Sequence, residues 1–500
     1  MFILPVVFAF IYQLTGLILT SYAYFLLITV VLFVYSRRRH NRLEATITTP
    51  SEWPHVTVQL PIFNEPFVAR RLLLAVAALD YPRDRLHIQV LDDSTDETAV
   101  LLSTLVARLR QERGLDITYH HRTHREGYKA GALAAGLALT TSEFIAVFDA
   151  DFVPEPDWLR RAVPVLLAHP QLAFVQTRWT HLNRRQNWLT AAQALALDGH
   201  FVIEQQARSA VGLWQNFNGS GGLWRRAAIL DAGGWQADTV TEDLDLSYRA
   251  QLRGWRGAYL PGVKAPAELP ALLAAYKRQQ RRWAQGSTQT LRKLARSLWR
   301  SQHPWWRRLY ATFHLGGYIT YLILLVLLLL TLPLAWLPPQ PWLLPIPTWI
   351  SWLAPLGPVI LCGLAQIRLD GLAGLRRLWA LPILILLSAG LAASVAGAVL
   401  TGLRQNGGKF ERTPKQGEAG PWALLRETTT RNELLPEALA FLYATACLFT
   451  LAATDRWDLA WLPLFFILGS GGVWIQGLRE QRQHQRQTLP RVPTPRPEAP

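Results

Sequence analysis

The most concentrated chemistry in the chain lies in Phe144-Ile145-Ala146-Val147-Phe148-Asp149-Ala150-Asp151, an apolar run of strand length that ends in two carboxylates one small residue apart. Strand alternation predicts that Asp149 and Asp151 point to the same side. Two carboxylates at a buried strand end repel each other unless a cation lies between them. Hard divalent cations such as Mg²⁺ or Mn²⁺ take oxygen ligands, and Mg²⁺ is commonly held by one or two carboxylates plus substrate phosphates. The stretch predicts a metal–diphosphate site; the plainer reading is that Asp-Ala-Asp starts a loop.

Other clusters could serve such a site. Asp92 and Asp93 follow the apolar run Leu86–Leu91. Acidic residues there can hydrogen-bond the base or ribose of a nucleotide, or open a turn. Glu65 closes Pro61-Ile62-Phe63-Asn64-Glu65. His124-Arg125-Glu126-Gly127-Tyr128-Lys129 puts a basic loop at a helix start, where Lys129 and the helix N-terminus suit a diphosphate. Thr241-Glu242-Asp243-Leu244-Asp245 offers a cap and three acids, one of which could act as general base. Gln279, Arg282 and Trp283 share one helix face, so an arginine able to offset leaving-group charge sits beside a flat ring able to carry a sugar. The same stretch also reads as a basic amphipathic helix lying on a membrane. Asn218-Gly219-Ser220-Gly221-Gly222 can bring backbone close to a ligand. No P-loop and no Gly-x-Gly-x-x-Gly opens the first helix, which counts against an ATPase or a dinucleotide enzyme.

The elements that must position these residues alternate. Strands are expected at Val56–Pro61, Leu86–Leu91, Asp116–Tyr119 and Phe144 onward, with helices at Val68–Leu79, Thr98–Arg113, Lys129–Leu139 and from near Leu269. Such alternation predicts a mostly parallel sheet covered on both faces, with ligands beyond the carboxyl ends of its strands. Glu65, Asp92, Asp93, Asp149 and Asp151 all fall at that edge.

The flanks are of another kind. Half of the 500 residues are hydrophobic, and the formal net charge is +16. Such a charge suits a nucleic-acid binder or a membrane protein with basic loops. Arg37–Arg39, Arg307–Arg308, Arg376–Arg377 and the segment after Arg479 all adjoin apolar stretches, which favours the membrane and no nucleic acid. The two cysteines, Cys362 and Cys447, lie inside apolar segments and indicate neither disulfide nor metal site. Val6–Tyr35 is uncharged; as a helix it would reach about 45 Å against a ~30 Å hydrocarbon core. Further spans are expected at Thr312–Trp336, Trp349–Ile367, Ala380–Leu403, Leu434–Thr454 and Leu459–Leu478. If all three between Arg308 and Arg404 cross, the basic loop at Lys409–Lys415 lies outside, against the positive-inside rule. A re-entrant or interfacial Trp349–Ile367, with its two prolines, would restore the parity.

Taken in order, Asp-Asp, Asp-x-Asp, Thr-Glu-Asp and Gln-x-x-Arg-Trp between apolar flanks resemble the processive inverting glycosyltransferases of family 2, of the cellulose-synthase-like mannan or glucan synthase type. The resemblance implies an α/β nucleotide-sugar-binding domain of GT-A type inserted between transmembrane helices. It implies one helix over 1–36, a cytoplasmic catalytic domain over 50–300 with interfacial helices, and a membrane region over 305–478. It further implies a gating loop near 404–431; the basic, proline-rich composition of 479–500 itself predicts a disordered tail. Asp93, with Asp92, looks like the base contact, and Lys129 like a diphosphate contact. Asp149 looks like the nucleotide-facing and Asp151 the metal-facing member of the pair, with Mg²⁺ or Mn²⁺ as cofactor. Asp243 looks like the general base, with Thr241, Glu242 and Glu65 among the substrate-binding set. Gln279, Arg282 and Trp283 look like the diphosphate and acceptor motif. Phe410, Arg412, Thr413 and Lys415 sit where the family has its gating loop, although the usual sequence differs. The implied reaction moves a hexose from UDP-glucose or GDP-mannose to a growing β-linked polysaccharide, at a cell membrane and among membrane lipids. A transferase that adds a few sugars to a lipid acceptor, and a non-catalytic membrane scaffold, are the competing readings.

Overall fold

The computed structural model describes residues 3–36, 49–344, 347, 350, 353, 355–415, 417 and 431–488. The expected basic cluster at Arg37–Arg42, most of the 416–430 segment and the last twelve residues lie outside these.

Seven strands form one sheet in the order β3-β2-β1-β4-β6-β5-β7. They are β1 (Val56–Ile62), β2 (Leu86–Asp92), β3 (Ile117–His121), β4 (Phe144–Val147), β5 (Leu172–His181), β6 (Gly222–Arg225) and β7 (Arg256–Ala267). Only β6 runs against its neighbours, β4 and β5. The centre is buried on both faces, as parallel strands require. Val56, Val58 and Leu60 of β1 enter one apolar cluster. On the other face the polar side chains pair: Gln59 donates to Gln89 Oε1 at 3.0 Å, and Thr57 meets Thr140 at 2.7 Å. Each core Val, Leu or Ile buried this way contributes about 1.5–3 kcal/mol.

The crossover helices are α2 (Ala69–Val76), α3 (Thr98–Arg113), α4 (Tyr128–Ala138) and α5 (Trp158–Ala168). The expected boundaries hold within about three residues. Asp96 accepts from the Thr98 amide at 3.0 Å, and Gly114 ends α3 in the left-handed region at φ 60°. Beyond the sheet lie α6 (Trp188–Asp198), which passes through one wide turn (Gly199–Glu204) into α7 (Gln205–Ala210), then α8 (Arg226–Asp231), α9 (Glu242–Leu252) and α10 (Leu273–Arg300).

The apolar region comprises α1 (Ile3–Tyr35), α11 (Trp305–Leu315), α12 (Ile319–Trp336), α13 (Leu356–Asp370), α14 (Leu381–Arg404), α15 (Leu435–Ala453) and α16 (Trp461–Thr488). Five stretches among the described residues are long and apolar enough to cross a membrane, one of them being α13 and α14 together. The expected span from Thr312 is interrupted between Leu315 and Ile319, at Gly316-Gly317. The segment expected to fray after Arg479 continues α16 as far as Thr488. Its Glu480 is buried and accepts from the Leu273 and Ala274 amides at 2.9 and 3.2 Å, capping α10 from across the membrane region. A lysine of α10 is tied in as well: Lys277 pairs with Glu437 of α15 at 2.6 Å. These contacts fix the helix that carries Gln279, Arg282 and Trp283.

Both ends of α14 face the soluble domain. Leu381 packs with Leu189 and Leu195 of α6. At the other end Arg292 of α10 donates to Leu403 O at 2.7 Å, and Gln289 donates to Gln405 O at 3.1 Å.

Candidate active site

The strand ends bring the sequence-predicted residues to one cavity. Its wall includes Glu65 after β1, Asp93 after β2, Lys129 on α4, Asp149 and Asp151 after β4, and Thr241, Glu242 and Asp243 at the start of α9. Gln279, Arg282 and Trp283 of α10 and Phe410, Arg412, Thr413 and Lys415 complete it. Asp92 is the exception. It is fully buried, and its carboxylate accepts from the Ser94 amide at 2.9 Å and the Tyr119 hydroxyl at 2.7 Å, so it shapes the loop, and of the two only Asp93 lines the cavity. Sequence reading treated the two as a unit because nothing in Asp-Asp says which one the turn consumes.

Asp149 and Asp151 converge for a reason other than strand alternation. β4 ends at Val147, and a turn closed by the Phe152 amide on Asp149 O (3.1 Å) carries both acids to the cavity. Each faces an ammonium: Lys129 Nζ lies 2.7 Å from Asp149, and Lys415 Nζ lies 2.8 Å from Asp151. Among the described residues no cluster of three His, Cys, Asp or Glu forms a metal cage. Two carboxylates at a phosphate-sized cleft do suit a hard cation that completes its shell with diphosphate oxygens. Asp149 and Asp151 fit that role, with Lys129 and Lys415 neutralising them here.

Lys129 stands at the centre of the charge. It also donates to Gly219 O at 2.9 Å and lies 3.6 Å from Glu242. Burial opposes its charge, but Asp149, Glu242 and Asp243 outweigh burial and hold the ammonium above the ordinary lysine range. The glycine-rich turn exists for this contact. Gly219 adopts φ 82°, and a Cβ there would lie 2.7 Å from Asp243 Oδ2 and 3.3 Å from Lys129 Nζ.

Asp243 differs from its neighbours. Asp245 is consumed by ion pairs to Arg249 (2.7 Å) and Lys293 (2.9 Å). Asp243 accepts the Leu244 amide at 2.8 Å and otherwise faces the cavity. Burial, with Glu242 beside it, pushes its carboxyl up to about 7, against the pull of Lys129, the Leu244 amide and Arg282. A carboxylate so tuned suits proton abstraction at neutral pH. The Thr241 side chain makes no helix cap, contrary to expectation; it lies against α10, where a Cβ on Gly286 would stand 2.8 Å from Thr241 Cβ. This close approach sets Asp243 beside Arg282 and Trp283.

Arg282 lies over the Phe410 ring at 4.2 Å, and its buried Nε has no hydrogen-bond partner among the described residues. Arg125 repeats the arrangement over Phe63 at 3.4 Å; its buried Nε has the Asp93 carboxylate 3.9 Å away, beyond hydrogen-bond reach, and no hydrogen-bond partner among the described residues. Two unsatisfied guanidinium donors at one cavity call for an anion. Arg122, which the sequence did not single out, holds both Asp93 oxygens at 2.6 and 2.7 Å. Glu268 was missed too: it holds Arg71 at 2.9 Å and the Gly417 amide at 3.2 Å, anchoring the loop that carries Lys415. Only its place just after a strand end hinted at it.

Residues 54–286 are similar to a glycosyltransferase family 2 domain, matching the model described as glycosyltransferase-like family 2. The chain is 40% identical over 308 residues to glucomannan 4-beta-mannosyltransferase 2 of Arabidopsis thaliana, which covers 60% of this chain and 57% of the relative. It is 42% identical over 298 residues to probable glucomannan 4-beta-mannosyltransferase 11 of Oryza sativa subsp. japonica, covering 57% and 52%. The chain thus spans little more than half the length of these relatives. Among solved structures, it resembles a mannosyltransferase of Pyrobaculum calidifontis in complex with GDP-Man and Mn²⁺, with a TM-score of 0.51, 22% identity, and coverage of 74% of this chain and 98% of that one. That likeness supports the GT-A type fold of the glycosyltransferase domain and, at this identity, nothing finer.

Proposed function

We propose that the protein is a membrane-embedded inverting hexosyltransferase that extends a β-linked polysaccharide from a nucleotide sugar, with GDP-mannose the favoured donor. One observation carries the reading: Asp243 lies where two cavities meet. The first is the charged cleft of Lys129, Asp149 and Arg282. The second, of about 500 Å³, shares Asp243, Gln279 and Trp283 with it and runs past Tyr276, Tyr318 and Tyr321. Donor diphosphate and acceptor sugar would meet at the carboxylate between them. The mannosyltransferase relatives favour mannose.

In this mechanism Lys129, Arg125 and Arg282 bind the diphosphate and offset its charge as it leaves. Asp149 and Asp151 would hold Mg²⁺ or Mn²⁺, which supplies Lewis-acid neutralisation of the same group. The acceptor sugar lies against Trp283. Asp243 takes the proton of its hydroxyl as the oxygen attacks the anomeric carbon from the face opposite the leaving group, so an α-linked donor gives a β linkage. Phe410, Arg412 and Lys415 reach across the cleft: Arg412 pairs with Glu65 at 2.8 Å, and Lys415 with Asp151. With the loop so placed the cleft holds about 150 Å³, below the roughly 300–1,000 Å³ of ordinary ligand sites, so donor entry requires the loop to withdraw.

The second cavity meets a third, of about 840 Å³, at Glu204, His314 and Gly317; this one runs between α1 and α12 to Arg456 and Trp461. Together they make a path for the product. Five crossings, by α1, α12, α13, α15 and α16, would keep the glycosyltransferase domain and the basic loop on one face, which the positive-inside rule makes the cytoplasmic one. α14, with both ends on that face, is the interfacial element in place of Trp349–Ile367. A cell-membrane location follows from the same reading. A donor screen on purified protein tests it: GDP release from GDP-mannose with a ladder of long products supports the proposal. UDP release alone overturns the donor assignment, and products confined to short lipid-extractable species favour the lipid-acceptor reading.

A further inference from the structure

We infer that Arg184, Arg185, Arg376 and Arg377 form a site for the phosphate headgroup of an anionic membrane lipid. The two arginine pairs come from distant stretches, the turn after β5 and the short helix Gly371–Ala380 between α13 and α14. They line one cavity of about 890 Å³ together with Asn187, Asp370 and Trp379. The charge in it is unbalanced. Arg184 is held by Asp198 at 2.7 Å, and Arg377 by Asp370 and by Gln366, which in turn donates to Asp198 at 2.8 Å. This network locks the two elements together. Arg185 and Arg376 are exposed, and among the described residues neither has an ion-pair partner. Neither guanidinium meets a carboxylate among the described residues, although Arg376 Nε donates to Ala373 O at 3.2 Å, so two uncompensated positive charges stand on a rigid frame and attract a phosphate anion.

The surroundings select a lipid as the source of the phosphate. Leu372 and Trp379 on the same short helix are 76% and 57% exposed, and a tryptophan beside arginines is the composition of a membrane interface. Basic pockets between membrane helices on the cytoplasmic side bind anionic headgroups. The placement at the inner face rests on the orientation proposed above. Binding itself can be read in detergent, where a reversed orientation would leave it intact.

The test is native mass spectrometry of the full chain with equal amounts of phosphatidylglycerol and phosphatidylcholine. The expected result is preferential retention of phosphatidylglycerol. In Arg185→Gln/Arg376→Gln the preference should fall about 25-fold, since each interfacial arginine carries about a factor of five. The Arg185→Lys/Arg376→Lys variant, which keeps the charge, should retain most of it. Equal retention of the two lipids, an undiminished preference in the glutamine variant, or loss in the lysine variant would overturn the proposal. So would displacement of the lipid by millimolar glycerol 3-phosphate, which would make the ligand a free phosphate.

Discussion

Lys129 lies 2.7 Å from Asp149, and Lys277 lies 2.6 Å from Glu437, yet the two pairs serve different ends. Lys277 and Glu437 are closed off, at 4% and 0% exposure, with Ser394 and the Glu433 carbonyl completing their hydrogen bonds. One cation meets one carboxylate there, and nothing is left over. Lys129 lines the cleft among Asp149, Glu242 and Asp243, beside Arg125 and Arg282, whose buried Nε atoms have no hydrogen-bond partner among the described residues. A saturated pair between helices fixes structure; an unbalanced cluster at strand ends waits for a ligand. Substitutions at the two should therefore separate cleanly, one set changing turnover and the other stability.

The largest effect is expected at Asp243. Asp243→Asn keeps the shape and removes the base, so transfer should fall about 10²–10⁴-fold while donor binding, read by calorimetry, stays near native. Next comes the closed pair. Glu437→Gln strands the Lys277 ammonium and should cost about 3–5 kcal/mol of stability in denaturation, while Lys277→Met/Glu437→Leu recovers most of it. If Glu437→Gln left stability intact and abolished turnover, the contrast would collapse.

Smaller effects sharpen the comparison. Asp243 must be ionised to accept a proton, so turnover should rise with pH through about 7 and level off above. Lys129→Met removes a cation that favours the ionised form, so the midpoint of that profile should move to higher pH. Lys415→Met removes the ammonium that competes for Asp151; the Mn²⁺ concentration giving half-maximal activity should drop a few-fold, measured by titration of the metal-stripped protein.

Much of this was legible in the sequence where local rules dominate. The Phe144 run, the carboxyl-edge acids and the three-and-four spacing of Gln279, Arg282 and Trp283 carry their own geometry. What stayed hidden depends on distant partners. Which of Asp92 and Asp93 faces the ligand is decided by Tyr119 and Arg122. β5 and β7 pair residues eighty-odd positions apart with two register shifts, and neither has clean alternation. Glu480 reads as one acid in a basic tail until α16 delivers it to the start of α10. The parity proposed for the membrane helices likewise rests on where the two ends of α14 dock, which hydropathy does not encode.

The central claim is a direct displacement assisted by one base, Asp243. The most direct test is the anomeric configuration of the first linkage formed from an α-linked nucleotide sugar, read by proton NMR of the short product. The account expects a β linkage. An α linkage would require a second displacement by a carboxylate nucleophile and would contradict it.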